Sequence, residues 1–167
     1  MRVETRDAEY AEFVAARQTE LRRLAYLLSG DWDVADDLVQ AAFTEVYVAW
    51  PRLRREGTEE VVARRLVVRA PVGETRAPRW WRRPARPGTG TGTVTGTATA
   101  EHAERASVVD SLRSLPAVQR KAVVLRHWLG LSVEETAEDL GISTRSVEHH
   151  TARALAALEG APVREAP

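Results

Sequence analysis

LSVEETAEDLGISTRSVEHHTARALAAL, from Leu131 to Leu158, predicts two helices joined by a turn of only a few residues. Ser132 and Glu135 have the spacing of a capping box, so the first helix should begin at a defined residue. Gly141 can adopt the left-handed conformation that ends a helix, and Ser143 can accept the free N–H groups of the next one. The stretch is therefore predicted to be a helix-turn-helix.

The second helix of this motif has two faces of different character. One face carries apolar residues spaced for burial: Val147, Ala154, Leu155 and Leu158. The other face, with the residues at the helix start, forms a predicted DNA-reading set: Ser143, Thr144, Arg145, Glu148, His149 and Arg153. In this set Glu148 repels phosphate unless it accepts a hydrogen bond from a cytosine amino group. Plain packing within an all-helical domain is the alternative for such a helix pair.

Composition excludes several classes of protein. The chain has 167 residues, zero formal net charge and no cysteine, so disulfides and thiolate metal sites are excluded and a cytoplasmic protein is expected. No apolar run has the length of a signal peptide or a membrane span. The four histidines lack metal-ligand spacing, and no phosphate loop or nucleophile elbow occurs. The sequence therefore predicts no enzymatic activity, no metal site and no cofactor.

Charge is unevenly distributed along the chain. Residues 61–87 contain eight arginines and one acid, Glu74, whereas residues 31–60 are predominantly acidic. A basic segment suits phosphate, and an acidic segment suits a basic protein partner. The distribution therefore favours two different interaction surfaces.

The N-terminal half begins with two predicted amphipathic helices. The first covers residues 7–28, and the second runs from a cap at Asp31 or Asp33 to about Ala49. Its predicted inward residues are Val34, Leu38, Ala42, Val46 and Ala49. Its outer face carries a polar stripe: Asp33, Asp36, Asp37, Gln40 and Thr44. Such a stripe is either a solvated face or a docking surface.

A third helix is predicted after a short connection between Pro51 and Gly57. It begins near Thr58, ends before Pro71 and has a basic side formed by Arg64, Arg65 and Arg69. Beyond it, Trp80 and Trp81 precede Arg82 and Arg83, a pattern typical of stacking on unpaired bases. The alternative is that one tryptophan covers the hydrophobic core.

The sequence between the two halves is of low complexity. GTGTGTVTGTATA, residues 88–100, has almost no bulky apolar residue and is predicted to be a flexible linker. Apolar periodicity then resumes in two helices separated by Pro116. The predicted fold is all-α, with helical domains at residues 1–87 and 105–160, a linker at 88–104 and a tail at 161–167.

The core of the second helix, ADDLVQAAF from Ala35 to Phe43, resembles region two of extracytoplasmic-function sigma factors. These are small, two-domain initiation subunits of bacterial RNA polymerase. The resemblance implies binding of polymerase core, through the coiled coil of its largest subunit, by four residues: Asp36, Asp37, Gln40 and Phe43. The family usually has an acid where Ala41 stands.

Residues Ser114 to Leu158 are similar throughout to region four of the same family. This resemblance implies contact with the polymerase flap and recognition of the minus thirty-five promoter element by the helix-turn-helix. The region two resemblance implies that a second set of residues contacts the minus ten element: Arg64, Arg65, Arg69, Trp80, Trp81, Arg82 and Arg83. A WWRR-like end is common in an actinobacterial, sigma-E-like subgroup. Pro71, Gly73 and Pro78 interrupt the segment that is helical in the family. Control by an anti-sigma factor stays open.

A second resemblance points to another class of protein. STRSVEHH, Ser143 to His150, is similar to the recognition helix of LuxR-type regulators. The alternative is thus a stand-alone LuxR-type helix-turn-helix DNA-binding regulator. That family has nothing like ADDLVQAAF upstream, so the N-terminal half distinguishes the two.

Overall fold

The computed structural model describes residues 3–72 and 108–160, which form helices and short turns with no β-strand among them. The N-terminal half contains α1 (Val3–Ser29), α2 (Trp32–Glu56) and α3 (Glu59–Arg69). In the C-terminal half, residues 108–114 form α4, and α5 (Ala117–Val123) continues into a π-helical turn (Val124–Trp128). The helix-turn-helix follows as α6 (Val133–Leu140) and α7 (Thr144–Glu159). The all-α prediction with two helical halves is confirmed, while the predicted linker lies outside the described residues.

Helices α1 and α2 form an antiparallel pair whose corner is built from local signals. Gly30 ends α1 with φ 71°, a conformation that favours glycine. Asp31 caps α2, and its carboxylate accepts from the N–H groups of Asp33 and Val34 at 2.8 and 3.2 Å. Large side chains on the facing surfaces are fully buried, among them Leu24, Leu28, Leu38, Val46 and Trp50. Helix α3 packs across this pair.

Two details of α2 differ from the prediction. Pro51 lies inside the helix, which continues to Glu56 and ends at Gly57. A proline removes one backbone hydrogen bond; burial of Trp50 and Leu53 on either side of it favours the helical path nonetheless. Val34, predicted to point inward, is 38% exposed, because Ala35 takes the inward position in the first turn and is fully buried.

The helix-turn-helix has the predicted local structure. Ser132 Oγ accepts from the Glu135 N–H at 3.0 Å, and the Glu135 carboxylate accepts from the Ser132 N–H at 2.8 Å. Gly141, with φ 70°, ends α6, and Ser143 Oγ accepts from the Ser146 N–H at 3.2 Å to begin α7. Val147 and Ala154 are fully buried, so α7 has a fixed rotation about its axis. The capping box, the turn glycine and the second cap are all confirmed.

The two halves share one hydrophobic core and a polar contact. Buried residues of both halves belong to a single cluster, which includes Leu28 and Val67 from one half and Leu112 and Leu125 from the other. Helix α3 lies against α6, and Lys121 of α5 donates from Nζ to the carbonyl oxygen of Ala70 at 3.0 Å. The described structure is therefore one closed body rather than two separated domains.

Candidate nucleic-acid and protein interfaces

The outward face of α7 carries the predicted DNA-reading set. Its members Ser143, Thr144, Arg145, Glu148, His149 and Arg153 are all exposed. This arrangement follows from burial of Val147 and Ala154 on the opposite side, where α7 packs against α5. The helix has 16 residues and is therefore about 24 Å long. An α-helix with such a face fits the major groove of B-DNA.

The polar stripe of α2 is partly engaged by α1. Asp37 and Gln40 are exposed, whereas Asp36 forms a bidentate ion pair with Arg22, one arm of which measures 3.0 Å. The hydrogen bond from Arg22 lowers the pKa of the Asp36 carboxyl group. The Arg22 guanidinium also lies 4.7 Å above the Trp32 ring, which stacks on Tyr26 at 3.9 Å. Helix α1 thus holds Asp36 in a fixed position.

Phe43, predicted to bind the polymerase, is 6% exposed and belongs to the hydrophobic core. Its ring meets that of Phe13 edge-on at 6.2 Å, and its carbonyl oxygen accepts from the Tyr10 hydroxyl at 2.8 Å. Because the side chain is enclosed, Phe43 supports the docking of α2 on α1. Its ring presents little surface to a partner.

A groove of about 240 Å³ runs between α1 and α2 beside the polar stripe. Its lining includes Asp36, Gln40 and Phe43 from α2, together with Gln18 and Arg22 from α1. Arg22 is not among the site residues predicted from the sequence. The separation of 14 residues between Arg22 and Asp36 crosses a helix corner, so no helical periodicity relates the two.

The basic side of α3 is bound to α6. Arg64 Nε lies 2.5 Å and Arg65 Nε 2.8 Å from the carboxylate oxygens of Asp139, which is fully buried. Arg65 also donates to the Glu138 carboxylate at 2.7 Å. The hydrogen bond to Asp139 raises the pKa of Arg65. Glu138 and Asp139 were not among the predicted functional residues, and only their acidity marks them in the sequence.

Arg69 completes this surface at the turn of the helix-turn-helix. Its guanidinium donates to the backbone oxygens of Asp139 and Glu138 at 2.9 and 2.6 Å. These carbonyls belong to the last turn of α6, which has no intrahelical donors for them. A Cβ atom added to Gly141 would lie 3.7 Å from a terminal nitrogen of the Arg69 guanidinium group. Thus Arg69 supplies donors at the C-terminus of α6.

The remaining predicted minus ten residues, Trp80, Trp81, Arg82 and Arg83, lie outside the described residues. In the part of the chain that the structure describes, no three His, Asp or Glu side chains are placed to hold a metal ion. None of the described helices is long and apolar enough to cross a bilayer.

Each half of the chain matches a known protein family. Residues 13–60 match the Sigma-70 region 2 family, and residues 105–158 match Sigma-70, region 4. The chain is 36% identical over 154 residues to an RNA polymerase sigma-E factor of Streptomyces coelicolor, covering 90% of this chain and 84% of that protein. A sigma-E factor of Streptomyces avermitilis is also 36% identical, with 90% and 83% covered. The corresponding protein of Streptomyces antibioticus is 34% identical, with 90% and 82% covered.

These matches distinguish between a sigma factor and a stand-alone LuxR-type regulator, the two classes of protein that the sequence resembles. The segment 13–60 contains the whole ADDLVQAAF motif, and it matches region 2. A stand-alone LuxR-type regulator is therefore not favoured, and the VEHH sequence belongs to a region 4 domain.

Proposed function

This chain belongs to the sigma-70 family, as a sigma factor of the extracytoplasmic-function type, and we propose that its α2 face binds RNA polymerase core while its α7 face binds promoter DNA. A sigma factor binds the core enzyme and directs transcription initiation, and it acts by binding rather than by catalysis. The observation that carries the proposal is the presence, in one chain, of an acidic α2 surface and an exposed recognition helix. The protein would act in the cytoplasm, together with the polymerase.

The core-binding surface is proposed to be the polar edge of the groove between α1 and α2. Asp37 and Gln40 are exposed there, and Asp36 lies beside them in its ion pair with Arg22. Carboxylates held on a rigid helix attract a basic partner surface. The proposed partner is the coiled coil of the polymerase's largest subunit, and region 4 is proposed to contact the flap. Phe43 contributes by fixing α2 on α1 rather than by direct contact.

Charge reversal tests this surface. The double variant Asp36→Arg/Asp37→Arg should lose most of its binding to purified core polymerase in a pull-down, while its helicity by circular dichroism stays unchanged. Glu45→Arg/Glu56→Arg makes the same change in charge at exposed positions elsewhere on α2 and is the matched control. Binding by the double variant equal to that of the control would remove α2 as the core-binding surface.

Promoter binding is proposed to use two elements. The outward face of α7 reads the minus thirty-five element, with Arg145, His149 and Arg153 contacting bases or phosphates. The basic side of α3, with the pairs Trp80–Trp81 and Arg82–Arg83, contacts the minus ten element. If an anti-sigma factor regulates this protein, these surfaces and the α2 groove are the ones it would cover.

Permanganate footprinting tests the tryptophans. A base stacked on an aromatic ring contributes about 1–3 kcal/mol, so Trp80→Ala/Trp81→Ala should reduce open-complex formation roughly tenfold or more while closed-complex binding is retained. A premelted bubble template should restore the variant. Equal reactivity of wild type and variant on duplex template would assign both tryptophans a structural role.

A further inference from the structure

Arg22 of α1 contacts two side chains of α2 near the corner between these helices. Its guanidinium donates from Nε and from a terminal nitrogen to the two carboxylate oxygens of Asp36, and it lies 4.7 Å from the centre of the Trp32 ring. The Trp32 ring stacks on Tyr26 at 3.9 Å, with an angle of 4° between the two planes. We call this set, formed by Arg22, Tyr26, Trp32 and Asp36, the Arg22 cluster.

The Arg22 cluster holds the guanidinium group from both helices. Arg22 and Tyr26 are four residues apart on α1, and Trp32 and Asp36 are four residues apart on α2, so each pair consists of neighbours on one helix face. An arginine can lie over an aromatic ring and donate to a carboxylate at the same time, because its donors lie in the guanidinium plane. The orientation of the Asp36 carboxylate is therefore fixed by more than a single ion pair.

Asp36 keeps acceptor capacity for a partner while Arg22 holds it. A carboxylate has about four lone-pair sites, and a bidentate arginine uses two of them. The Asp36 side chain is 48% exposed, and it lines the groove between α1 and α2 together with Gln40. A cation on a partner surface can thus bind the same carboxylate without displacing Arg22.

The packing of α1 on α2 does not depend on this ion pair. The Arg22 and Asp36 side chains are both nearly half exposed, and ion pairs at such positions contribute little to folding. Buried apolar side chains, among them Leu24 of α1 and Leu38 of α2, already hold the two helices together. The effect of the Arg22 cluster should therefore appear in binding rather than in folding.

We propose that Arg22 is a positioning residue for the binding of RNA polymerase core: held by the Trp32 ring, it fixes the Asp36 carboxylate in the orientation that a basic partner surface contacts. The proposal rests on the proposed role of the α2 face in core binding. A carboxylate that is ordered before association loses less entropy when the partner binds. The expected effect is opposite in sign to that of charge alone, because a cation beside an acidic surface weakens its attraction for a basic partner.

Substitution of Arg22 tests this sign. Arg22→Gln should bind purified core polymerase about threefold to tenfold more weakly than wild type, measured by competition with labelled wild-type protein. Arg23→Gln makes the same change in charge at the next, exposed position of α1 and should not weaken binding. Arg22→Lys keeps the charge but loses the two parallel hydrogen bonds, so it should also weaken binding. Full affinity in Arg22→Lys, or an unchanged or raised affinity in Arg22→Gln, overturns the proposal.

The part played by the tryptophan is tested in two backgrounds. Trp32→Leu removes the ring beside Arg22 and leaves the ion pair with Asp36 in place. In the wild-type background it should weaken core binding by a smaller factor than Arg22→Gln does. In the Arg22→Gln background it should have no further effect, because the ring acts through Arg22. An equal loss in both backgrounds overturns the positioning of Arg22 by Trp32.

The Asp36→Asn background separates failure of the positioning role from failure of the core-binding surface. In that background Arg22→Gln should weaken binding no further, since Arg22 acts through Asp36. An equal loss in both backgrounds, with helicity by circular dichroism unchanged, overturns the proposal. If Asp36→Asn weakens binding and Arg22→Gln does not, the positioning role fails alone. If Asp36→Asn itself binds like wild type, the proposed contact through Asp36 fails and the positioning role fails with it.

Discussion

Helices α7 and α3 both present arginines, yet the arginines of α3 are hydrogen-bonded to another helix of the same chain. Arg145 and Arg153 of α7 are exposed, whereas Arg64 and Arg65 of α3 are partly buried against Glu138 and Asp139. The difference arises because the inner side of α7 packs within its own half, while α3 lies at the boundary between the halves. A basic helix face therefore predicts a nucleic-acid surface only when its long-range neighbours are known.

The largest expected effect is on the free energy of unfolding, at Asp139, which pairs with Arg64 and Arg65 of α3. Asp139→Ala would leave Arg64 and Arg65 partly buried without their carboxylate and should reduce the free energy of unfolding by about 3 kcal/mol. Urea denaturation followed by circular dichroism measures the change. Glu134→Ala, at an exposed position of the same helix, is the control and should cost less than about 0.5 kcal/mol. Similar losses in both variants would show that the ion pairs of Asp139 with Arg64 and Arg65 stabilise nothing.

Substitutions on the exposed face of α7 should change the affinity for DNA rather than the free energy of unfolding. Arg145→Ala/Arg153→Ala should weaken binding to a minus thirty-five promoter fragment, by about 1–3 kcal/mol for a base-edge contact. Where an arginine binds phosphate, affinity should fall for all sequences, and the salt dependence should become shallower by about one unit for each phosphate that the variant no longer binds. Arg23→Ala/Arg52→Ala, at exposed positions of α1 and α2, serves as the control for charge. Unchanged affinity and salt dependence would exclude α7 as the reader.

A smaller effect on the free energy of unfolding is expected at Ser132, the N-cap of α6. Ser132 caps α6, which carries Glu138 and Asp139 and packs against α7. Ser132→Ala should reduce the free energy of unfolding by about 1 kcal/mol. The measurement is again urea denaturation, with Ser114→Ala as the control, since the Ser114 hydroxyl donates only to a carbonyl one turn earlier among the described residues. No difference between the variants would mean that the cap contributes nothing measurable.

The smallest effect is the pH dependence of that same cap. Hydrogen bonds from Ser132 lower the pKa of Glu135 below its ordinary value of 4.5. Because the pKa falls on folding, the carboxylate stabilises the protein above pH 4.5, and this contribution is lost as the pH drops through the folded-state pKa. Glu135→Gln should therefore flatten the acid side of the stability profile. An equal flattening by Glu134→Gln would contradict a specific role of the capping box.

The sequence predicted what local chemistry determines. The capping box at Ser132, the turn at Gly141 and the outward residues of α7 all follow from short-range signals, and the structure confirms them. What sequence reasoning missed depends on tertiary packing. Pro51 stays helical because its neighbours are buried, and Phe43 is enclosed by α1. The arginines of α3 contact acids about 70 residues away, a distance at which periodicity carries no information.

The difference in availability between the two basic faces can be measured residue by residue in the free protein. Arginine-specific labelling with phenylglyoxal, read by mass spectrometry at low ionic strength, reports how accessible each guanidinium group is. Arg145 and Arg153 should be modified several-fold faster than Arg64 and Arg65, and Asp139→Asn should bring the α3 rates up to those of α7. Equally fast modification of all four residues in the wild-type protein would contradict a covered α3 face.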